Sequence, residues 1–241
     1  MPRYFIEVAY VGTRYSGFQV QRNSNTIQAE IQRALKIFFH IEFELTGSSR
    51  TDAGVHALQN FFHFDTGFEI SRSVIYNLNA LLPYDIVVKN IFEVSPTAHC
   101  RFDAIARSYR YKIIRLKNPF YFERAYYYPY NLNTDLLKEM ANLLPQYKDF
   151  TSFSKKNTQV KTFNCCIKQA AWIFTEDMWL FEIKADRFLR GMIKGLVGTM
   201  LRLAKNNKGS LAFAEVLEEK SHAIADFSVP SEGLFLTSVE F

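Results

Sequence analysis

The chain switches repeatedly between two hydrophobic periods, and the switches mark its elements. Residues 3–10, RYFIEVAY, have the β-branched and aromatic enrichment of a strand. Gly12 and Gly17 mark a polar, basic loop that also holds Arg14, Gln19, Gln21 and Arg22. Helical spacing then takes over, with Ile27, Ile31, Leu35, Phe38 and Phe39 on one face and Asn25 with Gln28 resembling a capping box. A strand is expected over 42–46 and another over 58–65, where Leu58, Asn60, Phe62 and Phe64 alternate with Gln59, Phe61, His63 and Asp65. That second strand carries aromatics on both faces. Ser71 can cap a helix running to Leu82, Pro83 stops it, and 86–94 form another strand. Residues 1–104 therefore read β-α-β-β-α-β, the split βαβ order of ferredoxin-like folds.

Residues 105–241 repeat that order with one extra helix. A long strand from Ile105 places Arg107, Tyr109 and Tyr111 on one face and Ser108, Arg110 and Lys112 on the other. Asn133 can cap a helix with Leu136, Leu137, Met140, Leu143 and Leu144 on its apolar face, ended by Pro145. Strands follow at 165–174 and 179–186, helices at 188–204 and 211–219, and a strand at 234–240. No Gly/Ser-rich or Pro-rich linker separates the halves. The expected fold is α+β, with an N-terminal half (1–104) and a C-terminal half (105–241) sharing an antiparallel sheet and enclosing a cleft.

Composition adds a partner class and removes others. Lys and Arg number 29 against 24 Asp and Glu, a net charge of +5, and the pI is near 9.0. This leans toward an anionic partner. The three cysteines, Cys100, Cys165 and Cys166, have no C-x-x-C spacing, so neither a disulfide framework nor a zinc site is suggested, and buried thiols in a reducing cytosol are expected. The five histidines, at 40, 56, 63, 99 and 222, are scattered and give no H-x-x-x-H metal pattern. The first ten residues lack a signal-peptide profile, and Arg190, Lys194 and Arg202 interrupt the longest apolar stretch. A soluble, cytoplasmic protein with no membrane contact is expected.

Candidate chemistry centres on GSSRTDAGVHA, residues 47–57, between two of the strands. Asp52 has two readings on local grounds: a turn residue bonded to its own backbone, or a functional carboxylate beside Arg50 with Gly54 giving a substrate close access. A Ser48 or Ser49, Asp52, His56 triad lacks the G-x-S-x-G elbow and is set aside. Along 187–204, Arg187, Arg190, Lys194 and Arg202 interleave with Gly191, Gly195 and Gly198. Each helical glycine costs about 1 kcal/mol relative to alanine, so another backbone or an anionic ligand is expected to come close. Basic residues mixed with rings, as at Arg14–Tyr15 and Arg107–Tyr109, suit structured RNA.

SRTDAGVHALQNFFHF resembles the catalytic motif of the tRNA pseudouridine synthase A family, usually GRTDAGVH. YVGTRYSGFQVQ, HCRFDAIARSYRYKI, KDFTSF, FLRGMIKGLVGTM and SEGLFL agree in order and spacing. The resemblance implies two ferredoxin-like halves with an RNA-binding cleft, a homodimer, and isomerisation of uridine to pseudouridine at positions 38 to 40 of the tRNA anticodon arm, without cofactor or metal. It implies Asp52 as the essential carboxylate, Lys194 as its basic partner, Arg50 assisting at the same loop, and Tyr109 stacking on the target base. Arg14, Arg107 and Arg190 are the further candidates for substrate binding. Val11, Phe18, Ser49 and Lys194 depart from the usual Asp, Trp, Gly and Arg. Those changes bear on substrate range more than on reaction type, and lysine lacks the bidentate fork of arginine. The rival reading is a non-catalytic tRNA-binding or folding module with the same basic cleft.

Overall fold

The computed structural model describes residues 1–156 and 160–241. The chain is α+β and divides into two compact units, Met1–Ile105 with Phe235–Phe241, and Ala106–Leu234.

In the first unit the order is β1 (Arg3–Tyr10), α1 (Ile27–Phe39), β2 (Thr46–Gly47), β3 (His56–Asp65), α2 (Val74–Leu81) and β4 (Ile86–Val94). β1 lies between β4 and β3, β2 pairs with β3, and all three pairings are antiparallel. This is the ferredoxin-like order expected for residues 1–104. At the chain's end, β9 (Leu234–Glu240) runs parallel to β3 through His56 with Phe235 and Ala57 with Leu236.

β3 is buried on both faces, which accounts for its alternating aromatics. Phe62 stacks on Phe18 with centroids 4.4 Å apart, and Phe64 meets Phe43 at 5.0 Å. On the opposite face Phe61 packs on Phe5 and Phe241. Such pairs add about 0.5–1.5 kcal/mol each beyond the area they bury.

Three local expectations are corrected. The strand at 42–46 shrinks to Thr46–Gly47, because the Gln32 and Gln28 side chains of α1 donate to the carbonyls of Phe43 and Leu45 at 3.0 and 2.9 Å. Side chains supply what a partner strand would have given. The cap of α1 is Thr26, whose hydroxyl accepts from Ala29 N–H at 3.3 Å, while the Gln28 carbonyl accepts from Val20 N–H. α2 starts at Val74, and Ser71 only turns the chain ahead of it.

The second unit holds β5 (Ala106–Ile114), β6 (Tyr126–Tyr127), α3 (Thr134–Leu143), β7 (Ile167–Phe174), β8 (Met178–Ala185), α4 (Met192–Lys205) and α5 (Ser210–Glu218). β8 pairs antiparallel with β5 on one side and β7 on the other. Asn133 caps α3, accepting from Asp135 N–H at 3.0 Å. Of the cysteines, Cys166 is exposed, because consecutive residues entering β7 face opposite ways.

α4 begins four residues later than the periodicity suggested. Gly191 takes φ +75° ahead of it, so Phe188 lies in irregular chain and Arg190 in the turn that leads to the helix, and only Lys194, Arg202 and Lys205 are basic positions on the helix. A Cβ on Gly198 would lie 2.2 Å from the Asp226 carbonyl oxygen, and one on Gly195 would lie 2.8 Å from the Phe227 ring. The close partners of these two glycines are therefore protein.

Gly198→Ala should destabilise the protein by about 1–3 kcal/mol, since the obstacle is backbone. Gly67→Ala, whose Cβ meets nothing within 4 Å, should stay within about 0.5 kcal/mol of wild type; urea unfolding measures both.

His63 supplies a pH dependence. Burial first, then His99 and Arg3, push its imidazole down to about 4, against the attraction of Asp65 and Asp103. Its Nδ1 accepts from Cys100 N–H at 3.4 Å, a role open only to the neutral ring. The unfolded chain takes up that proton near pH 6.5, so the stability from neutral His63 is complete above 6.5 and is lost as pH falls toward 4. The urea midpoint should drop across that window, and by less in His63→Gln.

Candidate active site

The segment between β2 and β3 is held by main-chain bonds at Ser48, Thr51, Asp52, Gly54 and Val55. Ser48 N–H donates to Phe61 C=O at 2.8 Å, and Phe18 N–H donates to Thr51 C=O at 3.1 Å. Gly54 N–H donates to Tyr15 C=O at 3.3 Å, and Val55 N–H donates back to Asp52 C=O at 3.2 Å. Gly54, at φ +76°, closes that turn. Asp52 is left half-buried between the buried Thr51 and the exposed Ala53.

Two buried side chains, Asn60 and Tyr10, brace the loop from below. Asn60 donates to Ser49 C=O at 2.8 Å and to the Tyr10 hydroxyl at 3.2 Å, and accepts from Phe61 N–H. Accepting from Asn60, the Tyr10 hydroxyl has its own proton for Thr51 Oγ, 2.8 Å away. Burial raises the Tyr10 phenol to about 12, so it remains a donor at any working pH.

The β1–α1 connection presses against this loop closely enough to need glycine. A Cβ on Gly12 would sit 2.0 Å from the Val55 carbonyl oxygen, and one on Gly17, at φ +102°, would sit 3.0 Å from that of Thr51. Gly12 N–H also donates to His56 Nδ1 at 3.0 Å, and the His56 ring stacks near Phe235 at 4.5 Å. The hydroxyls of Ser48 and Ser49 are buried without a hydrogen-bond partner among the described residues. With no Ser–His bond, no hydrolytic triad forms.

Arg50 is exposed two residues from Asp52 and has neither ion pair nor hydrogen bond among the described residues. Arg14 is differently placed: its Nε and Nη2 lie 2.9 and 2.7 Å from the Asp85 carboxylate, and its guanidinium lies over Tyr84. Asp85 also accepts from the Tyr15 hydroxyl at 2.7 Å. Arg14 thus fixes the loop that embraces Asp52, leaving its outer face to solvent. Asn60, Tyr10, Asp85 and His56 were not singled out for these roles in the sequence. Tyr10, His56 and Asp85 lie 41 to 71 positions from their loop partners, and Asn60 lies 11 from Ser49 and 50 from Tyr10, so no local motif connects them.

In the second unit, Tyr109 sits mid-β5, half-buried, with Phe188 edge-on to its ring at 5.1 Å. Arg107 donates to Asp186 C=O at 2.9 Å, and Lys194, in the first turn of α4, reaches Ser231 Oγ at 3.4 Å. Arg190 is exposed, and its carbonyl accepts from Lys155 N–H. Among the described residues, no group of three or more His, Cys, Asp or Glu side chains is placed to hold a metal ion.

A sequence model of the family described as tRNA pseudouridine synthase matches residues 6–103 and 147–241, and so includes the braced loop, Tyr10, Asn60 and Lys194. The chain belongs to that family. A protein of Azobacteroides pseudotrichonymphae named tRNA pseudouridine synthase A is 43% identical over 242 residues, covering 100% of this chain and 97% of that one. Its namesake in Parabacteroides distasonis is also 43% identical, over 243 residues, covering 100% and 96%. One from Staphylococcus aureus strain N315 is 32% identical over 240 residues, covering 98% and 90%. As a tRNA pseudouridine synthase the chain is an enzyme, an isomerase that forms pseudouridine. No helix among the described residues is long and apolar enough to cross a membrane.

Gly12→Ala tests the scaffold. Its Cβ would collide with backbone that has no room to shift, so the variant should lose about 1–3 kcal/mol of stability and, where it folds, most of its activity. A urea midpoint and a turnover rate close to wild type would show that the loop does not need this approach.

Proposed function

We propose that the chain converts uridine to pseudouridine at positions 38 to 40 in the anticodon arm of tRNA, without a cofactor, with Asp52 as the essential carboxylate. The observation that carries this reading is the presentation of Asp52, half-exposed at the apex of a loop whose flanking backbone is immobilised, inside the motif that resembles the family's catalytic one.

The reaction breaks the N1–C1′ bond, rejoins C1′ to C5 of the same uracil, moves a proton off C5 and leaves one on N1. Positive character builds at C1′ as the first bond breaks, and an ionised carboxylate stabilises or traps it. A preset carboxylate does so with little reorganisation, which is the value of the braced loop. In this reading Arg50 assists beside Asp52, Lys194 is the carboxylate's basic partner, and Tyr109 holds the face of the detached uracil while it turns. Arg14, Arg107 and Arg190 hold phosphates. Extracting the target base from a stem costs a few kcal/mol, which such contacts offset.

The resemblance further supports an arrangement in which residues 1–104 carry the catalytic loop and residues 105–241 complete the RNA-binding cleft. By the same resemblance the enzyme works as a homodimer, and with no membrane-spanning helix among the described residues its proposed location is the cytoplasm.

Incubation with unmodified tRNA transcripts, followed by position-by-position mapping, should find pseudouridine at 38, 39 or 40. Asp52→Asn should lower the rate by about 10³-fold or more while tRNA affinity changes little. An Asp52→Asn enzyme as fast as wild type would sink the assignment of the carboxylate, and binding without any modification would leave the non-catalytic module as the better reading.

A further inference from the structure

Within the first unit, a cavity of about 340 Å³ opens beside the Asp52 loop, its lining including Gln19, Glu44, Gly47, Arg50, Arg101 and Phe102. The size falls at the small end for ligand sites, suited to one nucleotide rather than a duplex. Phe102 is 74% exposed, an unusual state for a ring so near a motif. Its ring lies 4.2 Å from that of His99 at an interplanar angle of 32°, and the Arg101 guanidinium lies 5.6 Å from its centroid. A ring in water with a guanidinium over it is the arrangement that stacks a nucleobase and holds its phosphate.

The other lining groups are consistent with one base edge. Gln28 also lines the cavity, but both ends of its amide are engaged by Val20 N–H and Leu45 C=O. Gln19 and Glu44, both exposed, remain to face a ligand, one offering donor and acceptor and the other an acceptor only. Glu44 disfavours a phosphate on its own side, which leaves that group to Arg50 and Arg101. Arg50 also ties the cavity to the chemistry, since it lies two residues from Asp52 on the same braced loop.

We propose that this cavity receives one unpaired nucleotide of the tRNA other than the target uridine, its base stacked on Phe102 and its phosphate on Arg50 and Arg101. The proposal rests on the tRNA reading given above. A second docking point on the same rigid loop would set the distance between a neighbouring nucleotide and Asp52, and so help select which uridine is presented.

The test measures binding and modification of unmodified tRNA by the full chain. Phe102→Ala should weaken tRNA binding by about 5- to 150-fold, the effect of one lost stacked base, with the loss falling chiefly on KM. Phe102→Trp should restore it. Arg101→Gln should reduce the slope of log affinity against log salt by about 0.7–0.9. A set of tRNAs each carrying one abasic nucleotide near the target should contain one member on which Phe102→Ala has no further effect. Affinity within twofold of wild type for Phe102→Ala, failure of Phe102→Trp to restore binding, or an equal Phe102→Ala loss on every abasic tRNA would overturn the proposal. A wild type that binds tRNA but modifies none would instead overturn the catalytic reading, whereas an active enzyme indifferent to Phe102 overturns only this inference.

Discussion

The packing of main chain on main chain between residues 12–18 and 51–55 is the constraint on which the first unit depends. Two peptide segments can approach that closely only where a Cβ is missing, and Gly12 and Gly17 supply the gap. Gly47 meets a related demand, because a Cβ there would lie 2.2 Å from the Phe18 ring. That ring cannot retreat, since it is stacked on Phe62 in the sheet. The position of Asp52 is therefore set by a layer of contacts reaching from the sheet through Phe18 to the loop backbone. A carboxylate on such a backbone needs little rearrangement, which is the property the proposed role of Asp52 calls for.

The same layer gives the aromatic content a purpose. β3 is covered on both faces and joined by β1 along one edge, while its other edge pairs with β2 near one end and with β9 near the other. β9 thus anchors the strand where it leaves the Asp52 loop, through residues 56 and 57. Rings at 61, 62 and 64 fill both faces without polar atoms that would need partners. Asn60 is the one fully buried amide in that run, and its hydrogen bonds go to the loop at Ser49, to the Tyr10 hydroxyl and to the adjoining Phe61 main chain. Burying a polar group there is tolerated because the Ser49 carbonyl and the Tyr10 hydroxyl supply its acceptors.

Much of this was legible from the residues. The β-α-β-β-α-β order in residues 1–104, the bounds of β1, β4 and β9, and the Asn133 cap follow from periodicity and local chemistry, which act over a few residues. Family membership was legible because the Asp52 motif is long and specific. The shortening of β2 was hidden, because it depends on Gln28 and Gln32 reaching across from α1. The pairing of Arg14 with Asp85 was hidden too, being a contact 71 positions apart. The sequence set Ser48 and Ser49 aside as nucleophiles for want of an elbow motif, but did not show that their hydroxyls are buried and unpartnered among the described residues, at a cost of about 1–3 kcal/mol for each such group. Burial of that kind is invisible to a motif.

The glycines of α4 show how the structure can redirect a correct premise. A helix with Gly195 and Gly198 forgoes about 1 kcal/mol at each relative to alanine, and so must gain from a close neighbour. An anionic ligand and a second backbone satisfied that reasoning equally well. The Asp226 carbonyl and the Phe227 ring occupy the space, so the gain is packing density within the second unit. Gly191 answers a different demand, the positive φ that turns the chain into the helix. Arg190 therefore projects from the turn two residues before α4 and not from the helix itself. Any contact with RNA in this region is therefore to be sought at Arg190 and Lys194, whose side chains are at least partly accessible, and not along the glycine stripe between the basic positions.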